Sequence, residues 1–404
     1  MELPLNIKKL SSENQSKATI LAFALIPLSG FATDVYIPSL PTMSRELGVS
    51  DLQVQLTLGM FLISYGVAQL FVGSLLDSFG RYRIGLISLF VFALASVVIA
   101  NTANIYLIYL MRIIHGITVA AIVVSKRTFF VDVFSGDKLK NYLSMFSIIW
   151  ATAPIIAPFV GGYLQSWFGW ESNFYFLAVF AMIILVLELS FSGETIKQKM
   201  EFSFRKIASI YIDMVSTASF TLGIVMLGLS YGMVMIYNMT GPFVIEHHFG
   251  LSPIAAGYSS LLLGGAVMVG GLLGKATINK PFIAKLSVNI GLQLLFVVAM
   301  LVSVNFVANL YSMVFFAFII HACSGYTFNT FFTFCLSRFP KNAGIASGLT
   351  GGINYVIVSF LTYGVIALIP AKDELNLAYS YTLLIGMSIL IMFVIVRMNK
   401  RNLQ

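Results

Sequence analysis

Twelve apolar stretches, each about 20 residues long, run through this chain and dominate its sequence. A helix of about that length crosses the hydrocarbon core of a bilayer, so the stretches account for about 250 of the 404 residues. Only 10% of the residues are Asp, Glu, Lys or Arg, against about 25% in ordinary soluble domains. So few charges cannot cover a surface that faces water. The sequence therefore predicts an all-α membrane protein and excludes a water-soluble enzyme.

The order of the apolar stretches predicts two bundles of six helices. The predicted spans are residues 19–40, 53–75, 83–100, 105–125, 141–164, 173–191, 214–237, 254–274, 282–303, 308–333, 343–368 and 377–397. The longest polar stretch, residues 192–213, lies between the sixth and the seventh span. We therefore predict an N-terminal six-helix bundle in residues 1–191, a cytoplasmic linker in residues 192–213 and a C-terminal six-helix bundle in residues 214–404.

The basic residues indicate which side of the membrane holds the termini. If both termini are cytoplasmic, 21 of the 24 Lys and Arg residues, Lys126 among them, lie on that side. Arg45 and Lys372 lie outside, and Arg112 lies within a span. Because cytoplasmic loops carry an excess of Lys and Arg, this distribution predicts cytoplasmic termini. The net charge of +8 then reflects orientation in a bacterial-type cytoplasmic (inner) membrane, and we expect no nucleic-acid partner.

The two halves also resemble each other in sequence. Residues 47–50 (LGVS), between spans one and two, match residues 249–252 (FGLS), between spans seven and eight, at an offset of 202. A Tyr and a Pro precede each copy at similar spacing. Because the two matching segments occupy equivalent positions in the two six-span halves, they favour a duplicated architecture. In such an architecture the substrate binds between the halves, near the middle of the membrane.

Asp34 and Arg112 are the charges that the predicted spans place deepest in the membrane. Both lie about 10 Å below the outer edge at about 1.5 Å per helical residue. A buried ion costs several kcal/mol unless it is paired or hydrated, so we expect the two to be neighbours or to share an aqueous cavity. The pair could be a structural salt bridge between spans one and four, a functional pair, or both.

Asp34 meets the physical requirement for proton coupling. Removal from water disfavours its charged form, whereas Arg112 favours it, so a change in hydration could move a proton on and off. We therefore predict that Asp34 and Arg112 couple transport to protons. Glu188, near the cytoplasmic end of span six, is predicted to reach the interface.

Cofactor and metal chemistry have no support in the sequence. Cys323 and Cys335 lie about 18 Å apart along one predicted span and cannot bridge each other. No CxxC motif and no cluster of His and Cys is present, and no nucleophile and base converge at one depth. We expect no metal, no cofactor other than the coupling proton, and no enzymatic activity.

Polar and aromatic side chains within the spans are the candidates for a substrate cavity. They are Phe31, Tyr36, Tyr65, His115, Tyr231, Tyr258, Asn329 and Asn354. For His115 the alternative is a hydrogen-bonded packing residue, and for each Tyr it is a place in the aromatic belt at the membrane surface.

The loop after span two contains a recognisable motif. Residues 73–83 read GSLLDSFGRYR. Gly73 allows another helix to approach closely, Gly80 permits a tight turn, and Asp77 can pair with Arg81. The segment resembles the loop signature of the major facilitator superfamily, G-x-L-x-D-x-x-G-R. In the matching loop of the second half, residues 274–278 (GKATI), the acid is missing.

Three further segments resemble those of the twelve-helix drug:proton antiporters and, among these, the Bcr/CflA-type exporters. Residues 26–41 (IPLSGFATDVYIPSLP) resemble the first-helix signature with its membrane-embedded acid. Residues 111–116 (MRIIHG) are similar to the fourth-helix motif R-x-x-x-G, whose Arg is implicated in proton transfer. Residues 153–162 (APIIAPFVGG) resemble the antiporter motif of helix five, with Ala157 where a Gly is common.

The resemblance implies a fold, a set of gating residues and a function. The fold is the major facilitator fold, two pseudo-symmetric six-helix bundles. The residues implied to control alternating access are Gly73, Asp77, Gly80, Arg81, Arg83, Pro154, Pro158, Gly161 and Gly162. The implied function is proton-coupled efflux of amphipathic drug-like small molecules by a monomer in the lipid bilayer. The alternative is a dedicated exporter or symporter of a specific metabolite, such as a siderophore, an amino acid or a sugar derivative.

Overall fold

The computed structural model describes residues 8–196, 204–339 and 343–401. Twelve helices in these ranges are long and apolar enough to cross a membrane, which confirms the predicted fold class. Spans one to twelve are Gln15–Leu47, Asp51–Phe79, Arg81–Ala100, Ile105–Val133, Gly136–Phe168, Glu171–Phe191, Ala218–His248, Pro253–Ala276, Phe282–Ser303, Leu310–Arg338, Ile345–Leu368 and Glu374–Met398. Because this number is even, residue 8 and residue 401 lie on the same face, which we call the terminal face; the other is the distal face.

Most helices continue beyond their predicted ends. Hydropathy marks only the residues in the hydrocarbon layer, whereas helices continue through polar residues at the membrane surface. The predicted linker contains a helix of its own, Phe204–Val215, and span seven begins at Ala218. Lys197, Lys199 and Lys341, which support the predicted orientation, lie outside the described residues.

Span one is divided into four short helices. They are Gln15–Leu25, Leu28–Asp34, the 3-10 turn Ile37–Ser39 and Leu40–Leu47. Three prolines, Pro27, Pro38 and Pro41, lie at or just after the breaks, because proline has no backbone N–H and disturbs the turn before it. Since the span reaches Leu47, Asp34 lies about 20 Å from its distal end, which is deeper than predicted.

The sequence repeat corresponds to two equivalent corners of the fold. Gly48 ends span one with a φ of 64°, and Gly250 follows span seven with a φ of 65°. A side chain is strained in this left-handed region, so glycine is the residue that fits. Ser50 and Ser252 then stand at the N-cap positions of spans two and eight. The two corners therefore share backbone geometry as well as sequence.

Helix packing separates contacts within each half from contacts between the halves. In the first half, span four packs on spans two and three, and span three packs on span six. In the second half, span ten packs on spans seven, eight and nine, and span twelve packs on spans seven and nine. Extensive contacts between the halves join span two to span eleven and span five to span eight.

Glu188 belongs to a buried ion pair. Its carboxylate accepts a hydrogen bond of 2.7 Å from Lys126 Nζ, and its side chain is 1% exposed. Lys126 lies inside the helix of span four, not in a cytoplasmic loop. The prediction that Glu188 reaches the interface is therefore wrong, because a partner on span four compensates its burial. The pair ties span four to span six.

We expect Glu188→Gln to lower the free energy of unfolding by about 3–5 kcal/mol, because Lys126 keeps a buried charge without a partner. The unfolding temperature in detergent micelles measures this loss. The double variant Lys126→Met with Glu188→Leu removes both charges and should recover most of it. A single variant as stable as the wild type would show that the pair does not hold the two spans together.

Candidate functional site

Arg112 is completely enclosed by spans one, two and four. Its side chain is 0% exposed. Nη1 donates to the Ala32 carbonyl oxygen at 2.8 Å, and Nε donates to the Thr57 carbonyl oxygen at 3.4 Å. The guanidinium carbon lies 4.6 Å from the ring centroids of both Tyr36 and Phe61. Carbonyl dipoles and aromatic faces thus take the place of water around this cation.

Asp34 lies at the end of the helix Leu28–Asp34 and is 1% exposed. Its Oδ1 accepts a hydrogen bond of 3.4 Å from Asn238 Nδ2, which comes from span seven in the other half. Its Oδ2 is buried without a hydrogen-bond partner in the described part of the chain. An unpartnered buried carboxylate oxygen is costly when charged, so the site favours a proton or a ligand there.

Asp34 and Arg112 are neighbours, but no ion pair within 4.0 Å joins them among the residues that the structure describes. Arg112 instead bonds the Ala32 carbonyl, two residues before Asp34. The proline-broken backbone of span one exposes this carbonyl. Arg112 therefore acts on Asp34 through charge and through the backbone that carries it.

Two of the predicted cavity residues surround Arg112. Tyr36 is 0% exposed, and its hydroxyl hydrogen-bonds Thr57 Oγ1 at 3.0 Å. His115 is also 0% exposed, with Nε2 3.0 Å from Ser96 Oγ and Nδ1 3.4 Å from Arg112 Nη1. Neither side chain reaches an open surface in this conformation, and their place in the substrate cavity stays a prediction. They position Arg112.

Two other predicted cavity residues meet where the halves join. The ring of Tyr355, on span eleven, lies 4.9 Å from the ring of Tyr65 and 5.9 Å from the ring of Tyr231. Tyr231 lies 5.9 Å from Phe328. We call Tyr65, Tyr231, Phe328 and Tyr355 the aromatic cluster. It joins spans two, seven, ten and eleven, and Asp34 lies within electrostatic reach of Tyr231 and Tyr355.

The remaining predicted cavity residues lie elsewhere or beside the cluster. Phe31 packs on Phe176 of span six at 5.6 Å, in its own half. The Tyr258 hydroxyl hydrogen-bonds that of Tyr163 at 3.0 Å, between spans eight and five. Asn329 donates to the Gly271 carbonyl and lines a cavity of about 420 Å³ between spans eight, nine and ten. Asn354, next to the cluster, is buried with its Oδ1 unpartnered in the described part of the chain.

The loop signature forms a polar network on the terminal face. Arg81 pairs with Asp77 at 2.8 Å and with Asp132 at the end of span four. Gly80 has a φ of 101°, and a Cβ there would lie 2.6 Å from the Glu194 carboxylate. That carboxylate accepts the backbone N–H of Tyr82 at 3.1 Å. The network ties span two to span four and to the segment after span six.

Two members of the signature take no part in that network. Arg83 is exposed. A Cβ on Gly73 would meet nothing within 4 Å among the described residues, so the predicted close approach of another helix at Gly73 is absent from this conformation.

Helix five fits between span one of its own half and span eight of the other. A Cβ on Gly161 would overlap the Val35 carbonyl, directly after Asp34. A Cβ on Gly162 would lie 2.7 Å from the Pro253 carbonyl oxygen. Pro154 lies against Gly30, and the Pro158 carbonyl lies against Gly257. These small and proline residues permit backbone contact on both sides of the helix.

We expect Gly161→Ala to lower the unfolding temperature and to impair transport, because the added methyl group must push span one away from helix five. Overpacking of this kind costs about 1–3 kcal/mol. Gly265→Ala is the matched control, since a Cβ there meets nothing within 4 Å in the described chain. Equal behaviour of the two variants would contradict the close contact.

The two halves are closed against each other at the distal face. Arg45 Nη1 pairs with Glu246 Oε1 at 2.5 Å, between the ends of spans one and seven. Gln55 Nε2 donates to the Met239 carbonyl oxygen at 2.7 Å. Together with the contact of Gly162 with span eight, these bonds seal the distal side of the site.

The sequence reasoning missed seven residues of this site. They are Gln55, Asp132, Glu194, Asn238, Glu246, Phe328 and Tyr355. One signal in the sequence could have pointed to Asn238. The internal repeat aligns Tyr237 with Tyr36, and Asn238 is the residue directly after Tyr237. The others depend on which helices pack together, and a single sequence does not show that.

A twelve-span bundle with a buried acid where its two halves meet has the architecture of a membrane transporter. A sequence profile described as Major Facilitator Superfamily matches residues 22–362. The chain belongs to the Major Facilitator Superfamily, whose members are transporters and not enzymes.

Relatives and solved structures agree with this assignment. The chain is 27% identical over 339 residues to the uncharacterized MFS-type transporter YdgK of Bacillus subtilis, covering 81% of this chain and 83% of the relative. It is 28% identical over 363 residues to multidrug resistance protein MdtL of Shewanella oneidensis, covering 87% and 89%. It is 33% identical over 190 residues to the bicyclomycin resistance protein homolog of Haemophilus influenzae, covering 46% and 48%. These names confirm the resemblance to drug:proton antiporters.

Among solved structures, a bacterial homologue of the human lysosomal transporter Spinster, in an inward-facing and unoccupied conformation, superimposes with a TM-score of 0.74 at 14% identity. The alignment covers 96% of this chain and 98% of that one. The nucleoside transporter NupG superimposes with a TM-score of 0.71 at 13% identity, covering 96% and 99%. At such identities the likeness shows the fold alone.

Proposed function

We propose that this chain is a proton-coupled exporter of amphipathic, drug-like small molecules that works by alternating access. The observation that carries the proposal is the buried Asp34 carboxylate, which lies between the halves with one oxygen unpartnered among the described residues. In this proposal the chain acts as a monomer in a bacterial cytoplasmic membrane, both termini are cytoplasmic, and the proton is the only coupling ion.

Competition at Asp34 provides the coupling. With the distal face open, Asp34 takes up a proton from outside. With the terminal face open, substrate binding beside Asp34 favours release of that proton to the cytoplasm. Arg112 sets the balance, because its charge favours the ionised carboxylate while burial opposes it.

The aromatic cluster is the proposed surface for the substrate. Tyr65, Tyr231, Phe328 and Tyr355 present ring faces and hydroxyl groups from both halves. Apolar walls with a few polar groups suit amphipathic molecules of varied shape. The names of the relatives, which include multidrug resistance and bicyclomycin resistance proteins, support the same substrate class.

Transport into inverted membrane vesicles tests the proposal. We expect an imposed proton gradient to drive uptake of ethidium and of chloramphenicol, two amphipathic compounds of different charge, and an uncoupler to stop it. Vesicles without the protein are the control. Gradient-driven uptake of an amino acid or a sugar derivative, with no uptake of either amphipathic compound, would favour a dedicated metabolite transporter and overturn the proposal.

A further inference from the structure

Span seven contacts the first half at three points on its way to the distal face. Asn238 Nδ2 donates to Asp34 Oδ1 at 3.4 Å, and the adjacent Met239 carbonyl accepts from Gln55. Two helical turns further on, Glu246 pairs with Arg45 at 2.5 Å. We call the last two contacts the distal latch. Span seven therefore contacts both Asp34 and the residues of the first half that close the distal face.

Asn238 differs from the other groups around Asp34. It is half-buried, and its amide is the group of the second half that hydrogen-bonds this carboxylate within the described chain. A hydrogen bond to a charged carboxylate is about twice as strong as one between neutral groups. The bond across the halves is therefore strong only while Asp34 is charged and empty.

We propose that Asn238 is a positioning residue that keeps the empty, charged transporter closed at the distal face. Protonation of Asp34 weakens the bond from Asn238, and a substrate group that takes the carboxylate replaces it. Either event frees span seven, and the distal latch can open. The empty, charged transporter stays closed at the distal face, which prevents substrate from entering the site from outside while Asp34 is charged. This inference rests on the proposed proton coupling at Asp34.

Other ionisable groups bear on the same region and must be separated from Asp34. Those that interact electrostatically with Asp34 are Tyr36 of span one, Arg112 of span four, Tyr231 of span seven and Tyr355 of span eleven. Tyr65 of span two lies against Tyr355, and His115 of span four lies against Arg112. Those near the distal latch are Arg45, Glu46, Glu246, His247 and His248. His247 and His248 are exposed. A variant that changes only Asp34 distinguishes its contribution from theirs.

The distance across the distal face is the measurement. Spin labels at Ser50→Cys and Leu251→Cys, two exposed positions on opposite halves, report opening in the full-length protein. Cys323 and Cys335 are buried and stay unlabelled. We expect a short distance at pH 8.5 and a shift to longer distances at pH 5.5. In Asp34→Asn the distances should no longer depend on pH.

Asn238→Leu, which keeps size but loses the amide, should open the distal face at both pH values. Asn238→Gln, which keeps the amide, should restore part of the pH-dependent shift. A wild-type pH dependence in Asn238→Leu, with loss of that dependence in Asp34→Asn, would overturn this inference alone. A pH dependence that persists in Asp34→Asn would overturn the proposed proton coupling itself. If Asn238→Gln restores the pH-dependent shift in distance and Asn238→Leu does not, the amide group is required and Asn238 does not act by packing alone.

Discussion

We expect Asp34→Asn to abolish transport driven by a proton gradient and to leave the protein folded. Asn has the size of Asp and keeps an oxygen that accepts the bond from Asn238, but it cannot take up a proton. Arg112 stays in place because carbonyl oxygens and aromatic rings hold it. We expect uptake into inverted vesicles to fall to the level of vesicles without the protein.

The controls for this variant separate coupling from folding. Asp51→Asn changes an acid at the distal start of span two, outside the site, and should transport like the wild type. Movement of substrate down its own gradient should persist in Asp34→Asn, since the aromatic cluster is intact. Undiminished gradient-driven uptake in Asp34→Asn would rule out Asp34 as the coupling residue.

We expect Arg112→Ala to destabilise the protein and to stop transport. The substitution leaves the Ala32 and Thr57 carbonyl oxygens without their donor and opens a cavity between spans one, two and four. Lost hydrogen bonds and an unfilled space of this size together cost about 3–5 kcal/mol. The unfolding temperature in detergent should fall accordingly, and transport should be lost even at temperatures where the variant is folded.

Arg112→Lys separates the charge from the shape of the side chain. Lys keeps the positive charge but lacks the planar group that bonds two carbonyls and stacks on Tyr36 and Phe61. We expect intermediate stability and residual gradient-driven transport. If Arg112→Ala unfolded at the same temperature as the wild type, the contacts of Arg112 with the two carbonyl oxygens and the two aromatic rings would not stabilise this part of the protein.

The sequence was sufficient for the twelve spans and for placing Asp34 and Arg112 within them. Hydropathy reports the bilayer directly, and a charge in an apolar stretch is conspicuous. The depth of Asp34 was underestimated because span one continues through polar residues to Leu47. Lys126 was assigned to a loop because the sequence does not show its buried partner. That partner, Glu188, lies 62 residues away and allows Lys126 to lie inside the helix.

The surroundings of the pair required the structure. Tyr36 and His115 have the residue types of cavity walls, yet they are enclosed because spans one to four close around Arg112. The repeat marks the position of Asn238 but does not show its partner, and only the packing of span seven on span one brings it to Asp34. Contacts between halves join distant residues, which a single sequence cannot pair.

Proton release on substrate binding tests most directly whether Asp34 exchanges a proton for substrate. Purified protein in a weakly buffered detergent solution is mixed with ethidium while a pH indicator is recorded. We expect wild-type protein to release protons on binding and Asp34→Asn to bind ethidium without releasing any. Equal proton release from both proteins, or binding by the wild type without release, would contradict the exchange of a proton for substrate at Asp34.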